Sequence, residues 1–128
     1  MKSYTDIEQS KKLAEILSLE SADAKYGYIA PYEYSDRMYD AGYDEIPYPI
    51  AFIKKDYSNF FVEEYDDELP CWSLAALLNV LPSATLDSSN DHHFRIHCMK
   101  RYTEWYDNAV DACVAMIEKL HNLKMLKL

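Results

Sequence analysis

His92-His93-Phe94-Arg95-Ile96-His97-Cys98-Met99-Lys100-Arg101-Tyr102-Thr103-Glu104-Trp105-Tyr106 is the stretch on which the fold class turns. Read with period two, Phe94, Ile96 and Cys98 share one face of a strand, and His93, Arg95 and His97 share the other. Tyr102, Glu104 and Tyr106 then alternate with Arg101, Thr103 and Trp105 in a return strand. The connection near Met99-Lys100 lacks the Asn-Gly or Asp-Gly pair that secures a hairpin. Read with period 3.6, Phe94, Cys98, Arg101 and Trp105 recur at helical spacing, so a helix competes for the same residues. We adopt the strands, which place a small antiparallel sheet among the flanking helices.

Downstream, Asn108 suits an N-cap, and Asp111 sits where a carboxylate meets exposed amides and the positive end of the helix dipole. Val110, Cys113, Val114, Met116, Ile117 and Leu120 form a wide apolar arc. Asp111, Glu118, Lys119 and Asn122 take the opposite face. Upstream, Ser83 to Asp91 reads as a polar connection. Before it, Trp72, Leu74, Ala75, Ala76, Leu77, Leu78, Val80 and Leu81 form a short helix that is apolar nearly all round and therefore belongs in the core. Pro70 stands where that helix can start and Pro82 where it stops. At the N-terminus, Thr5-Asp6-Ile7-Glu8 has the form of a capping box with Thr5 as the cap. Ile7, Leu13, Ala14, Ile16 and Leu17 follow at helical spacing, and a helix of about a dozen residues needs a surface to dock on. The core expected from this reading contains Trp72, Leu74, Leu77, Leu78, Val114, Ile117 and Leu120.

The middle of the chain differs in composition. Over all 128 residues the formal charge is −9, from 22 acids and 13 bases. Residues 1–19 and 69–128 are each neutral, whereas residues 20–68 hold 13 acids and four bases. Nine of the twelve tyrosines, both glycines and three of the five prolines lie there too. So many aromatics argue against plain disorder. Ile50-Phe52 and Asn59-Phe60-Phe61-Val62 read as short strands, with irregular turns pinned by tyrosine rings elsewhere. The expected fold is thus α+β: one domain over residues 1–128, three helices packed with a small antiparallel sheet, and an irregular acidic, tyrosine-rich middle.

Two strings carry a resemblance: Leu69-Pro70-Cys71-Trp72-Ser73-Leu74-Ala75-Ala76-Leu77-Leu78, and Asp107-Asn108-Ala109-Val110-Asp111-Ala112-Cys113 running on to Met116-Ile117 and Lys119-Leu120-His121. The second half of the chain resembles small proteins of Bacteroides-group gut bacteria and of their phages and mobile elements, a family with no assigned activity. In that pattern a proline often follows the cap asparagine, where this chain has Ala109. The resemblance implies a fold and a compartment, and no chemistry.

His93 and His97 are one turn apart on a helix and able to share a zinc ion. On a strand they share a face but stand about 13 Å apart, at about 3.3 Å per residue. On a strand His97 and Cys98 face opposite ways, so they form no nucleophile–base pair. Cys71, Cys98 and Cys113 sit in apolar settings as small core residues do, and the odd count in an unexported chain suggests free thiols. His121 lies roughly 12 Å along the last helix from Cys113, too far to serve as its base. The run Glu63-Glu64-Tyr65-Asp66-Asp67-Glu68 lacks the alternating ligands and the glycine of a calcium loop, and reads as a solvated turn before a helix. Two glycines fifteen positions apart build no phosphate loop. No catalytic, cofactor or metal residue is expected.

An acidic chain is repelled by nucleic acid and by anionic membrane, so neither is expected as a direct partner. The start of the chain lacks the apolar stretch of a signal peptide, and the expected location is the cytoplasm. The expectation for function is a non-enzymatic module that binds another protein, basic where it meets the carboxylates. The surface singled out comprises Tyr32, Tyr34, Asp36, Tyr39, Asp40, Tyr43 and Asp44, because tyrosine is enriched at interfaces and charge of one sign steers association. The first rival is a nucleic-acid mimic that inhibits a DNA-binding protein. The second is a small enzyme or metal-binding protein.

Overall fold

The computed structural model describes residues 2–29, 50–53, 62–64 and 69–126, with side chains placed in 2–26 and 69–126. Within these residues the chain is α+β, with three α-helices and two antiparallel sheets. The helices are α1 (Ile7–Ala14), α2 (Leu74–Val80) and α3 (Ala109–Asn122), and Leu19–Ser21 forms a single 3₁₀ turn.

The first sheet is built around β1 (Ala24–Ile29). Strand β2 (Ile50–Ile53) pairs along one edge, with Ala24 opposite Ile53 and Gly27 opposite Ile50. The other edge is shared by β3 (Val62–Glu64), which pairs with Gly27 to Ile29, and β4 (Pro70–Cys71), which pairs with Ala24 and Lys25. Strand β1 was not expected: Gly27 weakens its pattern, and its alternation is short. Strand β2 matches the Ile50-Phe52 expectation with one residue added. Strand β3 starts at the last residue of the expected Asn59–Val62 strand, so Glu63 and Glu64 belong to a ladder and not to a turn. Pro70 likewise lies in a strand and not at a helix start, because Ser73 caps α2 by accepting the Ala76 amide at 3.2 Å.

The second sheet has the order β5 (Thr85–Ser88), β6 (Phe94–Cys98), β7 (Arg101–Tyr102). The period-two reading of residues 94–102 therefore holds and the helical one does not. Strand β5 corrects the expectation of a polar connection. Only Leu86 in it is apolar, so its signal lies in the cross-strand register with β6, Leu86 opposite Ile96 and Asp87 opposite Arg95. The β6–β7 hairpin closes through Met99 and Lys100, both left-handed at φ 51° and 64°. Two positive φ values make the hairpin turn that Asn-Gly favours, here built without it.

One core joins the three helices to the second sheet. It contains Leu13 and Leu17 from α1 and the residues after it, Trp72, Leu77 and Leu81 around α2, and Ile96 and Cys98 from the inner face of β6. From α3 it takes Val110, Ala112, Cys113, Val114, Met116, Ile117 and Leu120. Leu74 and Leu78 were expected in it but pack only partly buried against it. A seven-residue helix with a neighbour on one side keeps its other faces toward solvent, and Ala75 and Asn79 lie there.

The N-terminal cap is displaced by one residue from the expected position. Asp6, not Thr5, caps α1, accepting the Gln9 amide at 2.8 Å while the Gln9 side chain accepts the Asp6 amide at 3.0 Å. The Thr5 hydroxyl is engaged elsewhere: it accepts the Trp72 amide at 3.1 Å and lies 2.7 Å from the Ser10 hydroxyl, all in the interior. Asn108 caps α3 as expected, accepting the Asp111 amide at 2.8 Å.

Candidate interaction surface

The seven residues singled out from sequence, Tyr32, Tyr34, Asp36, Tyr39, Asp40, Tyr43 and Asp44, lie outside the described residues. The outer face of the β5–β6–β7 sheet is described, and it carries an arrangement that sequence reading missed. The His97 ring stacks on the Tyr102 ring, with centroids 4.2 Å apart and planes inclined by 8°. The Arg95 guanidinium lies 4.4 Å from the centre of the Tyr102 ring and 4.6 Å from that of Trp105. His97, Tyr102, Arg95 and Trp105 thus form a continuous row of planar groups. Asp87 on β5 accepts from Arg95 Nε at 3.1 Å and helps hold the guanidinium in place. Tyr102 and Trp105 remain 48% and 45% exposed, although large aromatics usually go inside.

Strict alternation would send Tyr102 and Trp105 to opposite faces. A bulge brings them together. Thr103 pairs with Ile96 through its amide, which donates to the Ile96 carbonyl at 3.0 Å, and its hydroxyl accepts the Ile96 amide at 2.9 Å in place of a ladder carbonyl. The next pair is Phe94 with Tyr106, both bonds 2.7 Å long. Three residues of the return strand therefore span two of β6, and the extra residue re-aims Trp105 over Arg95. A threonine hydroxyl that substitutes for backbone leaves no periodic trace in the sequence.

At the tip of the hairpin lies a groove of about 290 Å³ lined by Val80, Pro82, Met99, Met125 and Leu126. Met99 is 42% exposed there. Arg101, facing the opposite way from Tyr102, reaches Met125 with Nε 3.3 Å from Sδ. Lys119 on α3 donates to the Tyr102 carbonyl at 3.1 Å.

Burial pushes the Cys71 thiol up to about 12, helped by the Asp23 charge, and burial pushes Cys113 to about 12 as well. Cys98 is also raised by burial, and its thiol points to the Pro82 carbonyl at 3.2 Å. All three cysteines are free and buried, surroundings that disfavour the thiolate. Ser73 donates its hydroxyl to Asp23 while capping α2. His93 Nε2 lies 3.4 Å from the Asp107 carboxylate. Among the described residues, no group of three or more His, Cys, Asp or Glu side chains is placed to hold a metal ion. Among the same residues, no helix is long and apolar enough to cross a membrane.

No family model, no curated protein and no solved structure matches this chain.

Proposed function

We propose that the chain is a non-enzymatic, cytoplasmic module that binds another protein. The observation that carries this reading is the row His97–Tyr102–Arg95–Trp105. Trp, Tyr and Arg are the residues most enriched among binding hot spots. Here they are half-exposed yet already ordered by stacking, by the Asp87 ion pair and by the bulge. Rigid aromatic side chains lose little entropy when a partner covers them, so more of the contact energy appears as affinity.

The acidic, tyrosine-rich residues Tyr32, Tyr34, Asp36, Tyr39, Asp40, Tyr43 and Asp44 form the second part of the proposal, on the strength of sequence alone. The excess negative charge of residues 20–68 steers a basic region of the partner and speeds association. Capture of partners from the native host on the immobilised chain, eluted in rising salt, tests the reading. A protein partner that persists to moderate salt supports it. Exclusive capture of DNA-binding proteins, released between low and moderate salt, assigns the chain to nucleic-acid mimicry instead.

A further inference from the structure

The groove at the hairpin tip carries an inference that rests on the protein-binding reading but concerns a different surface. It is lined by five residues with apolar side chains, Val80, Pro82, Met99, Met125 and Leu126. Neither these five residues nor their immediate neighbours in sequence include an acid. Lys100 follows Met99, Lys124 precedes Met125, Arg101 touches Met125, and Lys119 binds the carbonyl of the next residue, Tyr102. In a protein of net charge −9, Lys100 and Lys124 thus adjoin the groove's lining in sequence and Arg101 touches it.

We propose that this groove receives a large apolar side chain from an acidic peptide segment of a partner protein. Methionines suit such a site, since an unbranched, polarizable side chain adapts to the shape of whatever enters. Lysines and an arginine at the rim meet carboxylates that flank the anchor, and rim charges chiefly set association rate and selectivity. The concavity favours a side chain over a flat lipid surface, which would be served equally well by a level patch. The tip conformation fits the same purpose. Met99 and Lys100 both hold left-handed backbone, a conformation disfavoured for residues other than glycine. Asn-Gly would relieve that cost while removing one groove wall and one rim cation.

That substitution pair supplies the test. The full-length chain is panned against a phage-displayed library of random peptides, and the selected peptides are titrated by fluorescence anisotropy. They are expected to share a large apolar residue flanked by Asp or Glu. Their affinity is expected to fall at least tenfold for Met99→Asn/Lys100→Gly, whose hairpin is if anything firmer, and for Lys100→Glu/Arg101→Glu/Lys124→Glu. Three results overturn the proposal: no peptide is selected, the selected peptides lack acids, or they bind both variants as tightly as the parent chain. A fourth does so too. If phosphatidylserine vesicles bind and the same variants abolish it while no acidic peptide is enriched, the groove belongs to a membrane surface. A partner captured through Tyr102 and Trp105 would survive any of these failures, so the two readings fall separately.

Discussion

Thr5 and Trp72 are joined twice: the Thr5 amide donates to the Trp72 carbonyl at 2.9 Å, and the Trp72 amide donates to the Thr5 hydroxyl at 3.1 Å. This pair fastens the N-terminal segment to the approach of α2, and the bridge between Tyr4 and Ser73 continues it. It also explains why α1 begins one residue late, since a hydroxyl already bound to Trp72 is not free to cap. Thr5→Val keeps the shape and removes the acceptor. The buried Trp72 amide then loses its partner, which costs about 1–3 kcal/mol. Urea unfolding should show this loss for Thr5→Val and little change for Thr5→Ser.

Asp111 gathers three donors: Lys2 Nζ at 2.8 Å, Gln9 Nε2 at 2.7 Å and Asn108 Nδ2 at 2.8 Å. Burial opposes its charge, but these bonds outweigh burial and hold the carboxyl below its ordinary value. Burial likewise opposes Asp6, and the Gln9 amide and Lys2 hold it low. With a folded pKa below the unfolded one, the unfolded chain takes up protons first as pH falls. The stabilisation is complete above the ordinary carboxylate pKa of about 4 and disappears as pH drops through the lowered values. Asp111→Asn should be less stable than the parent chain near neutrality, and the difference should narrow below about pH 4. Urea midpoints measured across that range check it, and a difference independent of pH would contradict it.

The thiols give a simpler test. With Cys71 and Cys113 raised to about 12 and all three side chains buried, Ellman's reagent at mildly alkaline pH should find no reactive thiol in the native chain and three in denaturant. Prompt release from the native protein would place a cysteine at the surface.

Leu77 is fully buried between α2 and the core. Leu77→Ala should cost about 2–5 kcal/mol, read from the urea midpoint. A loss below about half a kilocalorie would contradict the packing of α2 on α3.

The elements that could be read from sequence are those whose signals are local. Asn108 with Asp111, followed by an apolar arc through Leu120, marks α3 by capping chemistry and period together. The alternation of Phe94, Ile96 and Cys98 marks β6. Elements whose stability comes from partners could not be read in the same way. Strand β5 holds one apolar residue and is fixed by its register on β6, including the Asp87–Arg95 ion pair. Strand β1 is interrupted by Gly27 and is held by three other strands. Pro70, an expected helix start, is claimed by the ladder to Lys25. For the candidate surface the contrast is sharper. Alternation puts Arg95, Tyr102 and Trp105 on strands, but the bulge that unites them depends on Thr103 bonding Ile96 with its side chain. Pattern alone does not encode that bond.

In the function proposed above, partner binding runs through the ordered aromatic row, with the acidic segment as a steering surface. The most direct measurement is quantitative capture of the native partner on three forms of the chain: the parent, Tyr102→Ala/Trp105→Ala, and Asp36→Lys/Asp40→Lys/Asp44→Lys. All three are first matched for folded stability by thermal unfolding. We expect the aromatic pair to lower retention by roughly tenfold or more, the loss of a hot spot, and the aspartate triple to slow association and flatten its salt dependence. Equal retention and equal association rates on all three forms would contradict the account.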